Sequence, residues 1–449
     1  MADLTLQIHH GGQWHTAAAL VVKAPEKGIA SSCTLDYDTD YFVEIAAEGG
    51  LGNGETRDWR ALSVRVPLDM TFRSLARWPA FLLDLLPQGH ARRRLTAKLG
   101  FTDPDAPGAD LPLLLQGAGN PIGNLRILEA AEAEREAVAA DEADVGPCPG
   151  VTMDDILGRS DLFLRVAERF ALAASGSSGV QGEWPKILMT QATDGLWYPD
   201  SLVPDEHARS HVIVKMIRGR HPEDRLILAS EAPYYEVARE FGLRTGAPLD
   251  YGRHVLVIPR FDRAIRPDGI VRLGQESLVS AIGVAEFGHV STHEAYLAEI
   301  VRNSADPAAD VTEYVLRDLL NVAMGNPDNH GRNSALQKLS DRTVRLAPLF
   351  DFAPMRLDPS VIRRSTRWAC MGGRDAAPDW SVICEAAAEG VMAVEDLMAA
   401  VAGKEAFLRD LPAIAHRHGV PEEAVETACR RHREMADSVA ALKDRGHVP

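Results

Sequence analysis

The chain has 449 residues, which at roughly 150 residues per domain leaves room for two or three domains with cores of their own. Hydrophobic residues make up 46% and charged residues 25%, a folded globular balance that excludes a solvating disordered tail. The net charge of −16 repels polyanions at long range and argues against a general nucleic-acid coat, although a local basic face stays open.

No stretch reaches the ~18 apolar residues of a membrane helix, and the start lacks a basic segment followed by an apolar one; a cytoplasmic protein without membrane contact is expected. The cysteines Cys33, Cys148, Cys370, Cys384 and Cys429 are odd in number, scattered and never in C-x-x-C spacing. They are expected to be reduced, buried thiols rather than a disulfide framework or a zinc site.

Residues 1 to about 75 alternate apolar and polar positions, as in Leu4–Ile8 and Leu62–Val66, with turn chemistry at His10-Gly11-Gly12-Gln13. A β-rich module is expected there. From Trp78 the spacing becomes helical through Leu86, stops at Pro87-Gln88-Gly89 and is followed by Arg92-Arg93-Arg94, which predicts a helical hairpin after the sheet. An Ala/Glu/Asp-rich helix over about 129–145 ends at Gly146-Pro147-Cys148-Pro149-Gly150, and a domain boundary is placed there. Strands return at Lys186–Thr190, His211–Lys215 and Val255–Ile258, interrupted by one helix over about 225–241. Beyond Gln275 nearly everything reads as helix, with Ser291-Thr292-His293-Glu294 fitting a capping box and Pro421 a helix start.

The sharpest chemical signal is Gly325-Asn326-Pro327-Asp328-Asn329-His330-Gly331-Arg332-Asn333, followed by Asp351 in Leu349-Phe350-Asp351-Phe352. A kinase catalytic loop needs an Asp to accept a hydroxyl proton, an Asn five residues on for magnesium, and a second metal-binding Asp on a later hairpin. Asp328, Asn333 and Asp351 meet that spacing, although Ala353 stands where the kinase metal motif has glycine. Asn-Pro-Asp-Asn is equally a turn whose side chains cap their own backbone, so the loop alone does not decide. A second requirement does more: a strand lysine for nucleotide phosphates, paired with a helix glutamate. Lys215 ends an apolar strand and Glu231 lies in the next helix, with Glu236 as the less favoured substitute. A lysine at a strand end is otherwise a solvated edge residue. The Gly/Ser stretch Ser175–Gly182 could cover phosphates with backbone N–H groups; its composition is also that of a linker, and it does not match G-x-x-x-x-G-K-[ST].

Taken together these residues resemble the HipA-type toxin kinases, serine/threonine kinases of bacterial toxin–antitoxin systems. The resemblance runs through Trp78–Pro87, Gly117–Gly123, Ser178-Gly179-Val180-Gln181, His211–Lys215, Arg260-Phe261-Asp262-Arg263, the Asp328 loop and Asp351. It implies an α+β, two-lobed atypical kinase fold: an N-terminal β-rich subdomain with helical hairpin (1–145), a β subdomain with glycine/serine loop, ATP lysine and hinge (150–275), and an all-helical C-terminal lobe (276–449). It also implies ATP and Mg²⁺ as cofactors. Asp328 would be the catalytic base with His330 supporting it, and Asn333 and Asp351 the Mg²⁺ ligands. ATP would meet Ser178, Gly179, Val180, Gln181, Lys186, Lys215, Glu231, Pro259, Arg260, Phe261, His330, Asn333, Phe350 and Asp351. Ser177 or Ser178 would be the self-phosphorylated residue.

The implied protein substrate is a translation component such as an aminoacyl-tRNA synthetase, the implied partner a HipB-like antitoxin, and DNA is reached only through that partner. Three departures stand out: Gly182-Glu183-Trp184 is inserted before Pro185-Lys186, Pro259 replaces an acidic hinge residue, and Gly176 replaces a serine. A kinase-fold enzyme acting on a small molecule, or a DNA-associated regulatory subunit, are the rival readings. His293-Glu294 lacks the second histidine of H-E-x-x-H, and His293, His416 and His418 are read as surface residues. Gly50–Gly54 is read as a hairpin loop, and Arg356, Arg363, Arg364 and Arg367 as a solvated, partly paired surface.

Overall fold

The computed structural model describes residues 1–48, 59–173, 183–267, 269–372 and 377–445. The alternating start of the chain forms an antiparallel sheet of β1 (Ala2–His10), β2 (Gln13–Val22), β3 (Cys33–Tyr37), β4 (Arg73–Leu75) and β5 (Leu125–Ile127), in the order β4-β3-β2-β1-β5. Gly11 and Gly12 take φ of +58° and +82°, the left-handed pair a two-residue hairpin needs. One sheet face, with Leu6, Leu20 and Leu35, packs with Trp78 and Leu82. The predicted helical run after Trp78 is a short 3₁₀ helix, Ala80–Asp84, followed by the α-helix Gly89–Lys98. Pro79 and Pro87 bracket the first piece and keep it short.

The expected strand Leu62–Val66 is only an isolated bridge between Ser63 and Val66. Its donors go elsewhere: the buried Glu276 carboxylate accepts from Ser63 Oγ at 2.5 Å and Val64 N at 2.8 Å. A distant carboxylate thus takes the Val64 N–H that a sheet ladder would have used. The Gly50–Gly54 segment lies outside the described residues.

The second sheet holds β6 (Lys186–Ala192), β7 (Trp197–Pro199), β8 (Ala208–Met216), β9 (Asp250–Gly252) and β10 (Val255–Pro259), ordered β7-β6-β8-β10-β9. β8 is central, so Lys215 is not an edge residue, and the register sets Lys186 directly opposite it. The helix Pro222–Phe241 follows β8 and presents Ile227, Leu228 and Glu231 to the interior.

The C-terminal lobe is mostly helical, with the expectation of an all-helical lobe corrected by a small antiparallel sheet. Its strands are Gly274–Ser277, Ala335–Lys338 and Val344–Leu346, with Ala335–Lys338 in the middle. The middle strand is buried at every residue, so it shows no alternation by which a period-2 pattern would have announced it. His293, expected at the surface, is buried, stacked on Trp368 with ring centroids 4.4 Å apart and bonded to Tyr314. The N-cap there is Thr292, not Ser291, and Glu294 accepts from the backbone of Ala369 and Cys370 instead of completing a capping box. Arg364, expected in a partly paired surface cluster, is paired with Asp318. All five cysteines are unpaired; four are buried, and Cys370 is exposed, contrary to expectation. Among the described residues no helix is long and apolar enough to cross a membrane.

The helix Pro307–Ala323 delivers the chain to the Asp328 loop through Gly325, which sits at φ +65° with no room for a side chain: an added Cβ would lie 2.6 Å from the Ala428 carbonyl oxygen. Gly325→Ala is expected to cost about 2 kcal/mol or more, read as a lower urea midpoint. An unchanged midpoint would show that the loop entry is not set by this contact.

Candidate active site

The two lobes meet at a cavity of about 190 Å³ whose walls include Ile213 and Ile258 from the second sheet, Leu249, and Phe261 and Phe350 across the opening. The rings of Phe261 and Phe350 are 5.9 Å apart. On the same cavity lie Lys186, Lys215, Glu231, Asn333 and Asp351.

Lys215 Nζ donates to Glu231 Oε2 at 2.6 Å and to Asp351 Oδ1 at 3.0 Å. Its side chain is 3% exposed, whereas that of Asp351 is 31% exposed, so the carboxylate is the member of the pair that faces the opening. Burial by itself would favour a neutral lysine; Asp351 and Glu231 outweigh it and hold the ammonium above lysine's ordinary range. Burial likewise pushes the Asp351 carboxyl up, but Lys215 and Lys186 dominate and keep it well below the usual carboxylate range. For Lys186 the balance differs: burial lowers its pKa, Asp351 opposes, and the neighbouring Lys215 repels. Asp351 also adopts φ +53°, a conformation costly for a residue with a side chain and concentrated at functional sites.

The Asp328 loop is held by its own asparagines. Asn326 Oδ1 accepts from Asp328 N at 3.2 Å, and Asn329 exchanges side-chain bonds with the backbone of Thr366. Asn333 Nδ2 donates to the Asp328 carbonyl at 2.9 Å, which leaves its Oδ1 as the atom it can offer a cation. The turn reading is therefore correct for Asn326 and Asn329, and the turn serves to carry Asp328. His330 Nε2 is 3.5 Å from Asp328 Oδ1. Burial raises the Asp328 pKa, His330 counteracts it, and Asp351 adds to the rise. Asp328, His330, Asn333 and Asp351 border a second cavity of about 530 Å³, with Gln88, Trp184, Arg218 and Met355 on its other walls.

The structure thus brings together Lys186, Lys215, Glu231, Pro259, Phe261, Asn333, Phe350 and Asp351 on one cavity, with Asp328 and His330 on the adjoining one. Glu236 instead pairs with Arg239. Arg260 borders the cavity, but its guanidinium is fully buried and committed to Asp262 at 2.6 Å and Asp200 at 3.2 Å, and its N–H to the His211 carbonyl. Its guanidinium is therefore already paired where it borders the cavity. Ser177, Ser178, Gly179, Val180 and Gln181 lie outside the described residues. Trp184 was missed as a site residue. Its ring lies 5.4 Å from Lys215 Nζ and 4.9 Å from the Arg218 guanidinium, and the available signal was a lone aromatic closing a Gly/Ser stretch.

The donor set suits a magnesium nucleotide. Aliphatic walls and two aromatic rings offer a slot for a base, two adjacent ammonium groups offer a place for phosphates, and the carbonyl of Asn333 with the carboxylate of Asp351 are oxygen donors appropriate to a hard cation. Among the described residues no group of three or more His, Cys, Asp or Glu could hold a metal by itself.

Two lobes closing on a lysine, a glutamate and a loop aspartate define a protein of the kinase-fold class. A family model for the HipA-like C-terminal domain matches residues 178–438, and the chain belongs to the HipA family. It is similar to two proteins of Sinorhizobium fredii (strain NBRC 101917 / NGR234). One, named "Putative kinase Y4mE", is 28% identical over 333 residues, 69% of this chain and 73% of the relative. The other, "Putative kinase Y4dM", is 24% identical over 275 residues, 61% of each. Among solved structures, a chain of the Shewanella oneidensis MR-1 toxin–antitoxin complex of HipA, HipB and operator DNA superposes with a TM-score of 0.62 at 16% identity, covering 99% of this chain and 100% of that one. That likeness establishes the two-lobed fold with its N-terminal β-rich region.

Removing one member of a buried ion pair strands the others. Lys215→Met is expected to cost on the order of 3 kcal/mol, while Lys215→Met/Glu231→Leu recovers most of it. Urea unfolding of the two variants decides; equal losses would mean the pair contributes no buried-charge constraint.

Proposed function

We propose that the chain is an ATP- and Mg²⁺-dependent serine/threonine protein kinase, acting as the toxin of a HipA-type toxin–antitoxin system on a translation component. The observation that carries this reading is the convergence of Lys215, Asp351 and Asn333 on one cavity, with Asp328 on the adjoining cavity that Asn333 and Asp351 also line. Bound magnesium and ATP would supply the transferable phosphoryl group and neutralise charge as it shifts between the phosphates. Lys186 and Lys215 would hold the phosphates, Asn333 and Asp351 the metal, and Phe261 and Phe350 the base. The Asp328 carboxylate would receive the acceptor's hydroxyl proton from the side of the larger cavity, with His330 orienting it.

A carboxylate whose pKa is raised gives up its proton later as pH increases. The rate therefore falls on the acid side at a pH above the ordinary aspartate range, because only the ionised form accepts a proton. Asp328→Asn preserves shape and removes the base. It is expected to lower kcat/KM by about 10²-fold or more, measured as phosphate transfer from labelled ATP, and wild-type activity in that variant would refute the assignment.

The partner proposal follows the relative solved with HipB and operator DNA. With a net charge of −16, this chain would reach DNA through a small antitoxin rather than by itself. Intact-mass and phosphopeptide analysis after incubation with ATP and lysate tests the acceptor class. A phosphorylated protein, with self-modification at Ser177 or Ser178, supports the reading, and label confined to small molecules overturns it.

A further inference from the structure

The segment Trp78–Pro87 carries part of the family resemblance and lends Phe81, Asp84 and Leu85 to the cavity wall, but none of its residues has yet been given a role. Its Asp84 ends the short 3₁₀ helix Ala80–Asp84 and reaches out of the N-terminal module into the C-terminal lobe. There one carboxylate accepts three hydrogen bonds: from Arg332 Nη1 at 2.6 Å, from Ser277 N at 2.8 Å and from Ser277 Oγ at 2.7 Å. Arg332 immediately precedes Asn333 and lies five residues before Gln337 of the buried middle strand. Its side chain is 7% exposed, and the guanidinium carbon lies 5.3 Å from the centroid of the Phe287 ring.

Ser277 is tied to the same loop from the other direction. The N–H of the next residue, Leu278, is shared between the carbonyls of Gly331 at 3.0 Å and Ser334 at 2.9 Å. Asp84 therefore holds a residue within the catalytic loop and also the strand end against which that loop is hydrogen-bonded. On the remaining side the loop has no slack, since a Cβ at Gly331 would lie 2.3 Å from the Tyr296 ring.

A buried ion pair contributes little net stability because both partners are desolvated, but it penalises any displacement of one partner from the other. Placed one residue from Asn333 and four from Asp328, such a pair sets where the loop's oxygens stand. We propose that Asp84 is a positioning residue for phosphate transfer, through which the N-terminal module fixes the catalytic loop by way of Arg332. The inference rests on the kinase reading for its kinetic consequence and on geometry alone for its structural one.

The test uses the full chain with Asp84→Asn, Arg332→Met, the double variant and Arg332→Lys. Misplacement by a fraction of an ångström costs turnover more than nucleotide affinity. Asp84→Asn is expected to lower kcat at least tenfold while KM for ATP stays within threefold, and the double variant is expected to match Arg332→Met alone, because the two side chains act as one. Hydrogen exchange supplies the readout independent of activity: Asp84→Asn raises deuterium uptake in residues 326–334 and leaves residues 255–261 unchanged. Arg332→Lys, which keeps the charge, retains more turnover and protection than Arg332→Met, and that comparison decides if Asp84→Asn fails to fold. Unchanged exchange in the loop, or losses that add in the double variant, would overturn the proposal. Absence of phosphate transfer in the wild type would instead overturn the kinase reading, with the exchange data still deciding the role of Asp84.

Discussion

A lysine ammonium almost wholly removed from water must be matched by carboxylates, and Lys215 is matched by two from different parts of the molecule. Glu231 comes from the helix packed on the second sheet, and Asp351 from the C-terminal lobe. The charge of Lys215 is thus a bond between lobes, and the cavity exists where that bond is made. Lys186 stands opposite in the adjacent strand, which places two ammonium groups side by side at the cavity wall. Like charges so close favour an anionic occupant, the electrostatic setting that a nucleotide's phosphates require.

The N-terminal module is built into this arrangement. The Ser63 hydroxyl and the Val64 N–H donate to Glu276, the Ala61 carbonyl accepts from Lys338 Nζ at 2.7 Å, and Phe81 and Leu85 help line the cavity between the lobes. Glu276 and Lys338 lie on neighbouring strands of the small C-terminal sheet, whose middle strand leaves the Asp328 loop. A module that looks separable by composition therefore shares buried polar groups with the lobe that carries Asp328.

What could be read in advance followed from local pattern. The alternation of β1 and β2, the apolar run of β8 ending at Lys215, and the Asp328, Asn333 and Asp351 spacing each depend on neighbours close in the chain. The failures have distant partners in common. Leu62–Val66 alternates like a strand, but Glu276, more than 200 residues away, claims its donors. Arg260 borders the cavity as expected of the hinge, but its pairing with the distant Asp200 could not be read from its neighbours in the chain. His293 resembles a polar helix start and is buried because Trp368, Tyr314 and Asp318 surround it. Trp184 gains its place only because β6 folds beside β8 and brings it to Lys215.

Asp351 is held ionised by Lys215 and Lys186 and faces the opening, and on the proposed reading its carboxylate would hold the metal of a bound nucleotide. Asparagine tolerates the positive φ of that position better than most side chains do, so Asp351→Asn removes the charge with little cost to the backbone. Calorimetric titration of ATP with and without Mg²⁺ compares the two proteins directly. Magnesium should tighten ATP binding to the wild type at least tenfold and have no such effect on the variant; an equal magnesium dependence in both would contradict the account.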